Sequence, residues 1–228
     1  MKGDLPRHTW VWPTGPGYAA LASGLQDPGA RAAIDLWSAS AWPFIVRRSE
    51  EDETSRSGDP IAVGLALPPS LGKHRLQFRL MRHDIAVHAP PLALDDVIAL
   101  SSPTVRRKLT RLARAAARAH LSLHVFGSAA WQAQTGFDYM NADSDIDLLV
   151  HPNTRDELNF AIAWLERAQR RVAMRLDGEI VFPGGDAVAW REWAGNRAHR
   201  VLVKNIGGVA MVPRSDLLHR FEQRKRAA

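Results

Sequence analysis

Up to about residue 92, apolar positions come in short runs cut by turn residues. The runs are 9–12, 42–47, 61–67, 75–81 and 85–89. Within one of them Leu76, Phe78 and Leu80 alternate with Gln77, Arg79 and Met81, the period of a strand with one buried face. Segment 49–60 (SEEDETSRSGDP) reads as a charged loop. The pattern predicts a small, mostly β module over 1–92. The stretch HAPPLALDD closes it, and a helix begins near Asp95. Ser102 and Pro103 then suit the cap and first position of a helix running to about His120. Val105, Leu109, Leu112 and Ala116 recur along one side of that helix. Arg107, Arg111, Arg114 and Arg118 recur with the same spacing, offset by half a turn, so the two sets lie on opposite sides.

Beyond residue 120 the period keeps switching. Residues 122–126 read as a strand, Gly127-Ser128 as a turn into a helix over 129–134, and 145–150 (DIDLLV) as a strand. Thr154 with Glu157 forms a capping box for a helix to about Arg171. Strands are expected at 172–176 and 179–182 around a turn at Asp177-Gly178. A hairpin is expected at 200–204 and 209–212, and a last helix over 216–224 capped by Ser215. The expected class is α+β, with a catalytic domain of mixed sheet and flanking helices over 93–228. No internal repeat is visible.

Composition narrows the setting. Of 228 residues, 46% are hydrophobic and 24% charged, as in packed proteins rather than disordered ones. With no cysteine, disulfides, thiolate metal sites and cysteine nucleophiles are excluded. No apolar run has the length of a signal core or a membrane span, so a cytoplasmic protein without a membrane partner is expected. Lys and Arg total 30 against 24 Asp and Glu, a formal charge of +6 that favours an anionic partner. No RNA-recognition motif accompanies it, so nucleic acid is not expected. The eight tryptophans are expected as core anchors.

The chemistry concentrates between Phe126 and Leu149. Gly127-Ser128 sits where a strand enters a helix. Glycine permits close backbone approach, the helix start offers free N–H groups and a positive dipole end, and Ser128 adds a hydroxyl. Asp145 and Asp147 flank Ile146, so both carboxylates leave one face of a strand. Two adjacent carboxylates repel unless a cation neutralises them, and Mg²⁺ takes one or two carboxylates with waters and phosphates completing its shell. Each feature alone also fits a structural role, as a serine-capped turn or a solvated strand start. Asp143 is expected in a loop.

Together these residues resemble the nucleotidyltransferase superfamily, the polymerase-β-like fold, whose signature is Gly-Ser followed by Asp-x-Asp. The wording G-S-A-A-W-Q-x-x-T-G-F-x-Y followed by D-S-D-I-D-L-L looks more closely like the malonate decarboxylase holo-acyl-carrier-protein synthases. These are phosphoribosyl-dephospho-CoA transferases. Arg7-His8 before Trp10-Val11-Trp12, W-P-F-I-V-R-R at 42–48, and G-E-I-V-F-P with A-V-A-W-R-E-W across 178–193 are also similar to that family. The resemblance implies transfer of phosphoribosyl-dephospho-CoA from triphosphoribosyl-dephospho-CoA to a serine of the acidic acyl carrier protein subunit of malonate decarboxylase, releasing pyrophosphate. It implies that Gly127 and Ser128 hold the triphosphate and that Asp145 and Asp147 hold Mg²⁺ (or Mn²⁺). Asp147, or a hydroxide on the metal, would assist removal of the serine proton. A third carboxylate is expected at Glu179, with Asp177 as the alternative.

Lys204, Arg47 and Arg48 are further candidates for substrate phosphates, as are Lys73 and Arg75. His8 and Trp131 read as structural. The arginine stripe on the helix after Pro103 is a candidate face for an acidic carrier protein. Two other readings stay open: a nucleotidyltransferase with another acceptor (RNA, a small molecule or a protein), and a non-catalytic binding module.

Overall fold

The computed structural model describes residues 5–48, 60–141, 143–195 and 199–227, so all but the last residue of the expected 49–60 loop lies outside the described residues. Two compact units emerge: 1–91 with 206–208, and 92–205 with 209–228.

In the first unit, β1 (Trp10–Pro13), β2 (Phe44–Val46), β3 (Ile61–Ala66), β4 (Arg75–Leu80) and β5 (Ile85–Ala89) form an antiparallel sheet in the order β4-β3-β2-β1-β5. The alternation in β4 holds: Leu76, Phe78 and Leu80 stand opposite Leu65, Val63 and Ile61, while Arg75, Gln77 and Arg79 are exposed. Two helices that the short-run pattern does not signal join this sheet, α1 (Gly15–Ser23) and α2 (Pro28–Ala39). Each starts on a side-chain cap followed by proline in the first turn. Thr14 accepts from Gly17 N at 3.0 Å and Asp27 from Ala30 N at 2.8 Å. Ala30, Ala33, Ile34 and Trp37 form the buried stripe of α2.

The second unit runs β6 (Leu92–Ala93), α3 (Leu94–Leu100), α4 (Pro103–Arg118), β7 (His124–Phe126), α5 (Gly127–Thr135), β8 (Ile146–Val150), α6 (Arg155–Gln169), β9 (Leu176–Val181), β10 (Ala187–Ala189), α7 (Trp190–Gly195), β11 (Arg200–Lys204), β12 (Val209–Pro213) and α8 (Arg214–Ala227). Its sheet has the order β12-β11-β10-β9-β8-β7-β6. Within it only β8 and β9 are parallel, joined through α6 as parallel neighbours require.

The two-faced helix expected after Pro103 is present. Leu109, Leu112 and Ala116 are buried, and Arg107, Arg111, Arg114 and Arg118 are exposed. Ser102 stands at its cap position without a side-chain capping bond; instead Arg106 ties the helix start to the carbonyls of Ile98, Ala99 and Ser101. Thr154 caps α6 by accepting from Glu157 N at 3.1 Å, but Glu157 answers to Asn153 N at 2.8 Å, one residue earlier than the box pattern assumes.

Two expectations are corrected. Asp177-Gly178 is no turn: both residues lie inside one strand, β9, and 172–175 is irregular. Gly178 takes φ +125 because its neighbour in β8 comes too close for a side chain. Ser215 does not cap the last helix, which starts at Arg214; its hydroxyl bonds Asp216 at 3.1 Å. Trp10, Trp37, Trp131, Trp164, Trp190 and Trp193 are buried, as core anchors should be. Among the described residues no helix is long and apolar enough to cross a membrane.

Candidate active site

The site is assembled where β7, α5, β8 and β9 meet. β7 ends at Phe126, whose Cα partner is Asp147 of β8, and the chain passes directly from Phe126 into α5. Gly127 makes that corner at φ +68, a left-handed conformation that glycine adopts without strain. A Cβ on Gly127 would overlap Asp147 Oδ2 and stand 3.0 Å from its Cγ, so the carboxylate lies against the glycine at the start of a nine-residue helix. Ser128 and Asp147 are both half-buried.

Asp145 immediately precedes β8. It is half-buried, and its carboxylate makes no hydrogen bond or ion pair among the described residues. The register places Asp177 beside Asp147 and Glu179 beside Leu149, so Asp147, Asp177 and Glu179 share one face of the sheet. The two candidates for a third carboxylate differ in surroundings. Asp177 accepts from Gly178 N at 2.9 Å and from Arg175 Nη2 at 3.3 Å. Glu179 is buried and paired with Lys204 Nζ at 3.3 Å. Lys204 is thereby engaged with Glu179, while Asp177 is the carboxylate in register with Asp147. Among the described residues no three His, Asp or Glu converge as a ready-made metal cluster. The donor set at Asp145 and Asp147 suits a cation that takes two hard carboxylates and draws its other ligands from water and phosphate. The missing Cβ of Gly127 makes the room that the Asp147 carboxylate occupies.

Arg47 and Arg48 belong to the first unit. Arg47 donates to the Arg48 carbonyl at 3.0 Å and to Gln77 Oε1, and Arg48 is exposed. Lys73 and Arg75 are exposed there as well, and His8 takes φ +68 at a bend.

Sequence comparison decides the family. The model of the phosphoribosyl-dephospho-CoA transferase MdcG C-terminal domain matches residues 92–215, and that of its N-terminal domain matches 6–91. A phosphoribosyl-dephospho-CoA transferase of Xanthomonas campestris pv. campestris is 36% identical over 211 residues, 92% of this chain and 95% of the relative. One of Xanthomonas euvesicatoria pv. vesicatoria is 39% identical over 191 residues, 83% and 87% respectively. One of Bradyrhizobium diazoefficiens is 33% identical over 218 residues, 95% and 94%. The chain belongs to the phosphoribosyl-dephospho-CoA transferase family. No solved structure matches it.

Several side chains that shape this candidate site escape a reading of local pattern. Gln132 of α5 is buried, and its Oε1 accepts from the N–H groups of Tyr139 and Met140, both at 3.0 Å. One amide oxygen thus pins the loop that leads to Asp145. Trp131 stacks on Tyr139 with ring centroids 6.4 Å apart, which fills the core and leaves it no face for a base. Burial pushes the Tyr139 hydroxyl up to about 12, against a hydrogen bond from Thr135. Gln169 Oε1 accepts from Leu176 N at 2.7 Å and from Arg191, whose Nε donates to the Leu176 carbonyl at 3.0 Å; together they hold the start of β9, next to Asp177. In β7, burial lowers the pKa of His124 while Asp96 works against it, and its Nδ1 has no hydrogen-bond partner among the described residues. The ring packs edge-on to His151. The sequence signal for these residues is slight, since each acts on a chain segment far from it or hidden by its own loop.

Proposed function

We propose that this chain transfers the phosphoribosyl-dephospho-CoA group of 2'-(5''-triphosphoribosyl)-3'-dephospho-CoA to a serine hydroxyl of the malonate decarboxylase acyl carrier protein subunit. The observation that carries the reading is the Asp147 carboxylate resting against Gly127 at the start of α5. It sets a carboxylate against the start of a helix, in a chain whose curated relatives are named phosphoribosyl-dephospho-CoA transferases.

Phosphoryl transfer asks a protein mainly to position groups and to neutralise charge. The free N–H groups at the start of α5 and the Ser128 hydroxyl hold the triphosphate. Asp145 and Asp147 hold Mg²⁺ (or Mn²⁺), which when bound neutralises charge on the phosphates and lowers the pKa of the attacking hydroxyl. The serine oxygen attacks the phosphorus nearest the ribose, and the bond from that phosphorus to the oxygen of the departing pyrophosphate breaks. Asp147 orients the serine hydroxyl and takes its proton. Glu179 keeps Lys204 fixed on the same face, where the ammonium balances phosphate charge.

The decisive experiment is mass spectrometry of the purified apo-acyl carrier subunit of a malonate decarboxylase after incubation with this chain, the triphosphoribosyl donor and Mg²⁺. The subunit is expected to gain the mass of one phosphoribosyl-dephospho-CoA group on a serine. An unmodified subunit under conditions where a characterised relative modifies it would overturn the assignment of the acceptor.

The Gly127 corner yields a sharper expectation. In Gly127→Ala the new methyl overlaps the Asp147 carboxylate, which must swing aside, and it also stands 3.3 Å from the Asp147 Cβ, which must give slightly. The left-handed backbone then costs about 1–2 kcal/mol, small beside the stability of a folded domain. Transfer is expected to fall by about a hundredfold or more, because the displaced carboxylate no longer faces the helix start. Turnover and thermal midpoint measured together check this. Wild-type turnover in the variant would detach the position of Asp147 from the reaction.

A further inference from the structure

Between α4 and α6 lies a groove of about 840 Å³. Six cations rim it: Arg107, Lys108, Arg111 and Arg114 from α4, Arg167 from α6, and Arg171 from the turn just after α6. All six are exposed, and none of their side chains makes an ion pair or hydrogen bond among the described residues. The floor is apolar, built from Leu112, Trp164, Met174 and Leu176. Six like charges around one cleft repel, and nothing on the protein's own described surface neutralises them; a counter-charge from outside would. Two basic walls about an apolar floor match one recognised mode, an amphipathic helix laid in a groove with its acidic flanks against the walls.

The groove's position is informative. Leu176 opens β9, and its Cα partner is Ile146, which opens β8. The next residues on these strands are Asp177 and Asp147. Successive strand residues face opposite sides, so the groove lies on the far face of the sheet from the carboxylates but at the same end of the same two strands. A protein seated in the groove need only reach around the strand starts to bring a hydroxyl to Asp147.

We propose that this groove docks an acidic amphipathic helix of the acceptor protein, and that Arg167 of α6 and Arg171 just beyond it take part in recognition equally with the arginines of α4. The proposal rests on the transferase reading above.

The test compares wild type with Arg111→Glu/Arg167→Glu, one reversal on each wall, and with Met174→Glu on the floor. Arg155→Glu, exposed on α6 but outside the groove, is the control. Two measurements are made at low and moderate salt. One is the steady-state KM for the apo-acyl carrier subunit and for the donor. The other is the binding of a fluorescent synthetic 14-residue helix with Glu on its flanks and Leu on one face. The groove variants are expected to raise the carrier KM about tenfold or more and to abolish saturable peptide binding. The donor KM and kcat should stay unchanged, with Arg155→Glu close to wild type. An unaltered carrier KM in the double variant overturns the proposal. So does a rise in the donor KM instead, which would make the groove a small-anion site. If wild type does not modify the carrier subunit, the acceptor assignment fails, and the peptide alone judges the groove. Binding lost only in the groove variants upholds it, and no binding to wild type overturns it.

Discussion

Asp147→Asn is expected to cut transfer by about a thousandfold or more while the thermal midpoint moves by no more than about 3 °C. Asparagine has nearly the shape of aspartate, so Phe126↔Asp147 and Asp147↔Asp177 should keep their register. What goes is the negative charge beside Gly127. A neutral amide oxygen is a poor ligand for a dication and a poor proton acceptor, and a thousandfold loss corresponds to about 4 kcal/mol of transition-state stabilisation. Stability barely changes because a half-buried position without a core role tolerates an isosteric swap, and one of two neighbouring like charges has been removed. Asp145→Asn should behave alike. Asp177→Asn should be milder, since Arg175 and the Gly178 N–H already answer that carboxylate. Turnover as a function of Mg²⁺ concentration, with a circular-dichroism melt on the same sample, separates these outcomes. Full turnover in Asp147→Asn would remove the acidic pair from the mechanism.

The parts of the fold that could be read in advance are those where local pattern and tertiary packing agree. The alternation of Leu76, Phe78 and Leu80, the two faces of α4 and the Thr154 cap each state in a few residues what the packed chain then does. α1 could not be read this way. Gly15-Pro16-Gly17 looks like a turn, yet Gly17 is there because Asp84 comes close: a Cβ would sit 2.9 Å from the Asp84 carbonyl oxygen. Asp177-Gly178 misleads for the same reason. A dipeptide that signals a turn by its own preferences serves here to let two strands approach. The candidate residues Gly127, Ser128, Asp145 and Asp147 could be singled out in sequence because they fall within one strand–helix–strand passage, which the fold contains. Their surroundings could not, because the partners come from afar. Lys204 meets Glu179 across β10, Gln169 and Arg191 meet at the mouth of β9, and two of the six groove cations, Arg167 and Arg171, lie away from the helix whose arginine stripe is visible in sequence.

Gly178→Ala is expected to cost about 4 kcal/mol or more, enough to leave the chain aggregated or only partly folded. The contrast with Gly127 lies in what the methyl would meet. At Gly178 a Cβ would overlap the Leu148 carbonyl oxygen and stand 2.5 Å from Leu148 N and 2.7 Å from its carbonyl carbon. All three atoms are backbone of the adjacent strand, so no side-chain rotation relieves the clash. The backbone at φ +125 also lies in a region open essentially to glycine alone. Relief requires β8 and β9 to part at Leu148↔Gly178, the rung next to Asp147↔Asp177. Parting them strands backbone hydrogen-bonding groups in the core between Leu148 and Ile180, where unmet partners are costly. Soluble yield and urea midpoint against wild type are the measurements. A Gly178→Ala protein with the wild-type midpoint would mean that β9 does not lie parallel to β8 in this register, and the shared face of Asp147, Asp177 and Glu179 would go with it.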